Sequence, residues 1–319
     1  MGIRDRLTVA VLSYSVSPKL RICLESIRTH LPSCKTVVWD NGSTDDSVLM
    51  VRREFPDVEM IRSPENLLFA EGCNHLIQQC RTEYVLLMNA DIFLQNDPAS
   101  DILSFMEAHE DLIAVSPAVK DAGRLRHLAH EAITPALAIA RDSVLGKMLQ
   151  RTQWYHRALF ENVQPDEVFC APKITNCCCI IRRDRFVALG GFHPDQLLYW
   201  TEEDFALRAA EAGYRQAVFG KCSVVHEHGS STAKLPFSFL RAIVVRDRIS
   251  YMRRHFGFLA TIIVELAVFF RFKLWYSIYY WYSFFTHRRE LNRMASVVER
   301  YRHARIQGKP FHEDARPAR

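Results

Sequence analysis

The chain has 319 residues, 49% hydrophobic and 24% charged, a globular composition with room for one large domain or a domain plus an appendage. No repeat or low-complexity segment stands out, which excludes a solenoid or a compositionally disordered chain. The net charge of +5 is unevenly spread: residues 236–319 hold 16 Lys or Arg against 6 Asp or Glu, a net of +10 that leaves −5 on the preceding 235.

The first apolar stretch, Leu7–Leu12, is short and alternates like a strand, so it does not read as a signal peptide. All nine cysteines fall within the first 222 residues without a regular framework, the pattern of reduced thiols in a cytoplasmic protein. Neighbouring side chains on a strand point to opposite faces. The run Cys177-Cys178-Cys179 therefore reads as buried structural thiols rather than zinc ligands.

In chain order, Leu7–Ser13 reads as a strand, Pro18–Leu31 as a helix and Thr36–Trp39 as a strand. Ser43 to Asp46 resembles a capping box opening a helix to about Phe55. Val58–Ile61 is a strand, Phe69–Cys80 a helix, Tyr84–Met88 a strand, Pro98–His109 a helix and Leu112–Ser116 a strand. This alternation predicts an α/β fold with a mostly parallel, Rossmann-like sheet flanked by helices, whose ligands bind at the carboxyl ends of the strands. Residues 120–170 are less regular and read as an insertion over the site. An apolar run to Ile181, a Gly190-Gly191-Phe192 turn, a helix from about Glu202 to Ala212, and strands at Gln216–Phe219 and Ser223–His226 complete a catalytic domain over 1–235.

Asp40 and Asp91 each stand just past an apolar strand, at that carboxyl edge. In "VVWDNGSTDDS" the Asn41-Gly42 turn and the helix start account for every acid but Asp40. Asp40 could accept a hydrogen bond from a ligand donor such as a nucleobase imide. Asp91 could ligate a divalent cation that also touches a diphosphate. In "YWTEED" Thr201 and Asp204 have capping-box spacing, but three consecutive acids among Tyr199, Trp200 and Phe205 exceed what a cap needs and could include a general base. His226 ends a strand before a Gly229-Ser230-Ser231 loop, as a surface imidazole or a metal or phosphate contact.

The order of these motifs resembles the family 2 glycosyltransferases with the GT-A fold, especially bacterial rhamnosyltransferase-like members, from about Val9 to Thr232. The resemblance is carried by Ser13-Tyr14, the D-N-G-S-T-D of Asp40 to Asp45, and the segment from Asn66 to Asn74. It continues through Asn89-Ala90-Asp91, Arg182-Arg183, Gly190-Gly191-Phe192, the acidic helix start with Ala212-Gly213-Tyr214, and Val225-His226 with Gly229 and Ser231. "RDRISYMRRHFG", from Arg246, is similar to the segment that follows the catalytic domain in many members.

The resemblance implies inverting sugar transfer from a dTDP- or UDP-sugar, with rhamnose as the family-weighted sugar, in bacterial surface polysaccharide or cell-wall synthesis. It implies that Asp40 binds the pyrimidine and that Asp91 coordinates Mg²⁺ or Mn²⁺ as the second acid of a D-x-D whose first position is Asn89. His226 would approach the metal or diphosphate. Ser13, Asn41, Asn66, Asn74, Asn89 and Ala90 are the further nucleotide-sugar-binding candidates. The family's E-D-x-D-L is here Thr201-Glu202-Glu203-Asp204-Phe205, which puts Glu202 at the base and Asp204 at the second acid. A shift of one residue nominates Glu203. A non-catalytic nucleotide-sugar-binding protein remains the alternative. A nucleotidyltransferase fits less well, because "SYSVSPKL" offers only Lys19 and no glycine to hold phosphates.

After Pro236 the texture changes. Phe237–Phe256 contains five arginines, and Phe256–Thr286 is aromatic and apolar but interrupted by Glu265, Arg271 and Lys273. Its longest uncharged run, Leu274 to Thr286, is 13 residues, short of the roughly 20 a spanning helix needs. Nucleic acid could suit such a mixture. Trp275, Tyr276, Tyr279, Tyr280, Trp281 and Tyr282 with flanking arginines better suit an anionic membrane surface, contacted over 236–305 by an in-plane helical extension. The expected place is the cytoplasmic face of the plasma membrane, where a polyprenyl-diphosphate-linked acceptor would lie.

Overall fold

The computed structural model describes residues 3–121, 123–126, 129–143, 146–227 and 237–286. The Gly229-Ser230-Ser231 loop, the Arg288–Arg305 segment and the side chains of Trp275 to Tyr282 lie outside the described residues.

The first half alternates as expected: β1 (Leu7–Ser13), α1 (Ser17–His30), β2 (Lys35–Asp40), α2 (Ser47–Glu54), β3 (Glu59–Arg62), α3 (Leu68–Gln79) and β4 (Tyr84–Asn89). Then come β5 (Ile92–Leu94), α4 (Ala99–Ala108), β6 (Leu112–Asp121), β7 (Arg124–Arg126) and the helices α5 (Pro135–Asp142), α6 (Gly146–Leu149) and α7 (Gln153–Ala158). The chain continues with β8 (Val168–Ala171), β9 (Cys178–Arg182), α8 (Arg183–Ala188), α9 (Thr201–Glu211), β10 (Arg215–His226) and α10 (Phe237–Thr286).

One sheet has the order β3-β2-β1-β4-β9-β6-β10-β5, with β7 on β6 and β8 on β10. The run β3-β2-β1-β4 is parallel, as the βα alternation dictates. The other half is mixed, because β9 runs antiparallel to both β4 and β6 while β10 runs parallel to β6. The two short strands read over 216–226 are a single strand, β10, with a register shift between Phe219 and Ser223 that absorbs Gly220, Lys221 and Cys222.

Alternation along the strands divides the core into two layers. Val9, Val11, Leu86, Met88, Cys178 and Ile180 pack with α1, α2 and α4 on one face. Ala10, Val85, Leu87, Cys179 and Ile181 pack with α3, α8 and α9 on the other. Cys178 and Cys179 thus face opposite layers, and burial pushes both thiols well above the ordinary range.

The chain divides into two compact units, one from segments 1–132 and 157–232 that holds the sheet, the other from segments 133–156 and 233–319. In the second unit α5 packs against α10. α10 is two helical limbs joined at Gly257, whose φ of 81° and ψ of 179° break the helix. The break turns the chain back on itself: Arg248, before the kink, donates to both carboxylate oxygens of Glu265, after it, at 2.7 and 3.2 Å. Asp142 lies 3.9 Å from the same guanidinium, and the buried Tyr251 hydroxyl donates to the Ile133 carbonyl at 3.0 Å. Glu265, read from sequence as an interruption, is the inner partner of a buried arginine. No helix among the described residues is long and apolar enough to cross a membrane.

Candidate active site

The polar residues singled out from sequence collect at the carboxyl ends of β1, β2 and β4. Ser13 pairs in register with Asp40, and Leu12 with Asn89, which sets Asp40 and Asn89 two strand spacings apart, roughly 10 Å. Asp40 is completely buried; its Oδ2 accepts the Ser43 backbone N–H at 3.1 Å and lies 3.7 Å from Arg62 Nε. Asp40 Oδ1 and Ser13 Oγ are both buried without a hydrogen-bond partner among the described residues. Such an orphaned acceptor costs about 1–3 kcal/mol, a cost that a donor on a ligand would remove.

The segment after Asp40 folds back to build this edge rather than to cap α2. Ser43 Oγ accepts the Ser15 N–H at 2.7 Å. Asp45 accepts the Ser17 N–H at 3.0 Å and the Ser47 N–H at 3.1 Å. α2 begins at Ser47, and Asp46, its N-cap, makes no side-chain capping bond. The capping box expected at Ser43 is therefore absent: Ser43 Oγ is taken by Ser15, and the helix starts only at Ser47. Gly42 holds φ +77°, and a Cβ there would stand 2.7 Å from the Glu65 carbonyl carbon. That close approach lets Asn41 bond across to the next loop: its Nδ2 donates to Asn66 Oδ1 and to the Leu68 carbonyl, both at 2.9 Å, and its Oδ1 accepts from Leu67 N–H at 3.0 Å. Asn74 is similarly engaged, donating to the Phe192 carbonyl at 2.7 Å and accepting the Phe192 N–H at 2.8 Å. Asn41, Asn66 and Asn74 thus shape the loops around the edge with their own amides. Gly191 must be glycine beside Asn74, since a Cβ would meet Asn74 Oδ1 at 2.4 Å.

Beyond β4 the backbone N–H of Asn89 donates to the Cys177 carbonyl and that of Ala90 to the Leu12 carbonyl. β5 then pairs antiparallel with β10, which brings His226 to Asp91: His226 Nε2 lies 3.4 Å from Asp91 Oδ1, and the Glu227 N–H donates to the Asp91 carbonyl. Burial disfavours the charged imidazole, but Asp91 and Cys177 outweigh it and raise its pKa to about 10. Among the described residues no three His, Cys, Asp or Glu side chains converge as a metal cluster. Asp91 and His226 still fit a cation completed by phosphate oxygens. They are an oxygen and a nitrogen ligand 3.4 Å apart, somewhat wider than the roughly 3.0 Å between adjacent corners of an octahedron with bonds of about 2.1 Å.

The acids of α9 reach the same edge through the loop before β9. Asn176, next to Cys177, donates its backbone N–H to Glu202 Oε1 at 2.7 Å. Lys173 Nζ stands 2.5 Å from Glu202 Oε2. His130 Nε2 is 3.6 Å from Glu203 Oε1, and His130 Nδ1 lies 2.7 Å from the Glu131 carbonyl. Asp204 turns inward: it is fully buried and accepts from Arg208 Nε at 2.8 Å, while the same guanidinium donates to the Leu189 and Gly191 carbonyls. Thr201 lies inside the helix, and the N-cap is Trp200, with a left-handed backbone at φ 62°. The capping box expected from Thr201 and Asp204 does not form because Asp204 is committed to Arg208. Asp40, Asp91, Glu202 and His226 are therefore linked through adjoining strands and loops of one unit.

Sequence reasoning missed Lys173, His130 and Arg62. Lys173 had a signal, a lone charge in "APKIT" at the start of an apolar run; His130 and Arg62 had none.

Polar groups gathered on the carboxyl edge of a helix-flanked sheet define an α/β protein with its ligand-binding side at that edge. The profile of Glycosyl transferase family 2 matches residues 8–185. An N-acetylglucosaminyl-diphospho-decaprenol L-rhamnosyltransferase of Mycobacterium tuberculosis is 24% identical over 268 residues, spanning 79% of this chain and 86% of that one. Among solved structures, the mannosyltransferase PcManGT of Pyrobaculum calidifontis, in complex with GDP-Man and Mn²⁺, superposes with a TM-score of 0.51 at 16% identity, over 96% of this chain and 88% of that one. GalNAc-T7, with UDP, GalNAc and Mn²⁺, gives 0.53 at 13% identity, over 78% of this chain and 50% of that one. The fold is GT-A, and the chain belongs to glycosyl transferase family 2. Asp40 and Asp91 lie within the family match; Glu202, Glu203, Asp204 and His226 follow it.

Proposed function

We propose that this glycosyltransferase moves a sugar, with rhamnose the first candidate, from a dTDP- or UDP-sugar to a polyprenyl-diphosphate-linked GlcNAc acceptor with inversion. The observation that carries this reading is the linkage of Asp40, Asp91, His226 and Glu202 around one sheet edge. The rhamnosyltransferase relative, named for a lipid-linked GlcNAc acceptor, supports the choice of substrates. Asp40 Oδ1, buried and orphaned, accepts the imide N–H of a pyrimidine, and Ser13 Oγ beside it takes a neighbouring base or ribose atom. Asp91 and His226 would hold Mg²⁺ or Mn²⁺, with Asn89 and Ala90 shaping the approach. When bound, the cation neutralises charge on the diphosphate as it departs. Glu202 accepts the proton of the acceptor hydroxyl as its oxygen bonds to the anomeric carbon and the bond to the diphosphate oxygen breaks. Glu203, turned toward His130, is the second candidate for that role.

The second unit supports attachment to an anionic membrane surface. Phe258, Leu259, Ile262, Ile263, Leu266, Phe269 and Phe270 are 38–71% exposed and recur at helical spacing, whereas Thr261, Val264 and Val268 on the opposite side are buried. An apolar stripe bordered by Arg253 and Arg254 and followed by Arg271 and Lys273 suits an in-plane helix on the cytoplasmic leaflet.

The test is transfer of radiolabelled sugar from dTDP-rhamnose to polyprenyl-diphosphate-GlcNAc with Mn²⁺, preceded by a thermal-shift screen of nucleotide sugars. A donor that raises Tm only with the metal, and a product of inverted anomeric configuration, support the reading. No shift with any nucleotide sugar sinks it. For the membrane, Ile263→Glu with Leu266→Glu should release the protein from phosphatidylglycerol vesicles; unchanged cosedimentation excludes the stripe.

A further inference from the structure

Around the acids of α9 lies a charged arrangement that the sequence did not reveal. Lys173 and His130 form an isolated antiparallel bridge, each backbone N–H donating to the other's carbonyl at 3.1 Å. Their side chains then meet consecutive acids, Lys173 with Glu202 and His130 with Glu203. Lys173 is 7% exposed. Its burial opposes the charge, and the carboxylates of Glu202 and Glu203 outweigh that burial, so its pKa rises and it stays an ammonium.

We propose that Lys173 is a positioning residue for the Glu202 base, its ammonium fixing the direction of the carboxylate and supplying the positive charge beside it. The inference rests on the reading of Glu202 as the base. Both carboxylate oxygens are gripped from one loop, Oε2 by Lys173 Nζ and Oε1 by the Asn176 N–H, and that loop is anchored by β8 and β9 in the sheet. Such a grip removes the rotamer freedom of a glutamate, and transfer demands placement within about 0.5 Å. Stability alone does not call for the pair, because an apolar side chain in place of a buried ion pair is often as stable. Among the described residues, the other groups near Glu202 offer no second ammonium. Glu203 carries like charge and faces His130, Asp204 is turned to Arg208, and Cys177 and Cys179 are thiols. In the step itself the acceptor's proton passes to Glu202, and Lys173 keeps its three.

The pH profile of kcat, at saturating donor and acceptor with Mn²⁺, tests this. Removing a nearby cation raises a carboxylate's pKa by about 1–3 units, so the acid limb of Lys173→Met should move up by about one unit or more. Activity should recover toward wild type at high pH, with donor KM changed by less than about threefold. Lys173→Arg should keep the wild-type limb. A uniform loss at every pH in Lys173→Met, or a displaced limb in Lys173→Arg, overturns the proposal. Where Lys173→Met does not fold, Lys173→Gln, which drops the charge and keeps a donor, is read the same way. A wild-type protein without transfer, or an active Glu202→Gln, defeats the underlying assignment instead.

Discussion

At the end of β2, Asp40 is fully buried with one oxygen left unbonded among the described residues, whereas Asp204, equally buried, lies 2.8 Å from Arg208. Both are buried carboxylates with an arginine nearby, Arg62 at 3.7 Å from Asp40 Oδ2 and Arg208 beside Asp204, yet of the two only Asp40 keeps an oxygen without a partner among the described residues. Around Asp40 the neighbouring side chains are spent on holding loops: Asn41 on Asn66 and Leu68, Asp45 on Ser17 and Ser47. The three acids that open α9 each face a basic side chain, Lys173, His130 or Arg208. A buried acid left short of partners is a place prepared for a ligand; an acid already matched serves the protein's own geometry or chemistry.

Four substitutions would break or sharpen that contrast. The largest effect is expected from Glu202→Gln, which should lower transfer by about 10²–10⁴-fold while nucleotide binding, followed by calorimetry, stays intact. Full activity would move the base to Glu203. Asp204→Ala should leave Arg208 without its counterion and cost about 3 kcal/mol in denaturant unfolding, with little change in the nucleotide affinity of the folded fraction. Asp91→Asn should abolish the Mn²⁺-dependent rise in Tm and reduce metal-dependent transfer by about a hundredfold. The smallest change belongs to Asp40→Asn, about tenfold in nucleoside diphosphate affinity, with Tm equal to or above wild type because a buried charge is removed. A fall in Tm would instead make Asp40 a structural acid.

Strands and helices were legible where a single physical signal ruled. Apolar alternation placed β1 at Leu7–Ser13, as observed, and turn chemistry placed the ends of α3 and α9 within a residue or two. What the sequence hid was decided across space. The antiparallel course of β9 depends on pairing with β4 and β6, and no local pattern encodes a partner. The two expected capping boxes failed because other partners took their side chains, Ser43 being bonded to Ser15, remote in sequence, and Asp204 to Arg208 one helical turn on. Asp40, Asp91 and Glu202 were visible as acids at strand or helix ends, but Lys173 gains meaning only when the His130 bridge sets it against Glu202. The three-cysteine run was readable because strand alternation is local, and Cys178 and Cys179 do face opposite layers.

The reversal at Gly257 has a practical consequence for handling the protein. Because Arg248 and Glu265 close on each other across it, cutting the chain at the kink would strip a 4%-exposed guanidinium of its carboxylate and unseat the packing that the first limb requires. A detergent-free preparation should therefore come from recolouring the outward stripe with acids or lysines, one residue at a time, rather than from shortening the polypeptide.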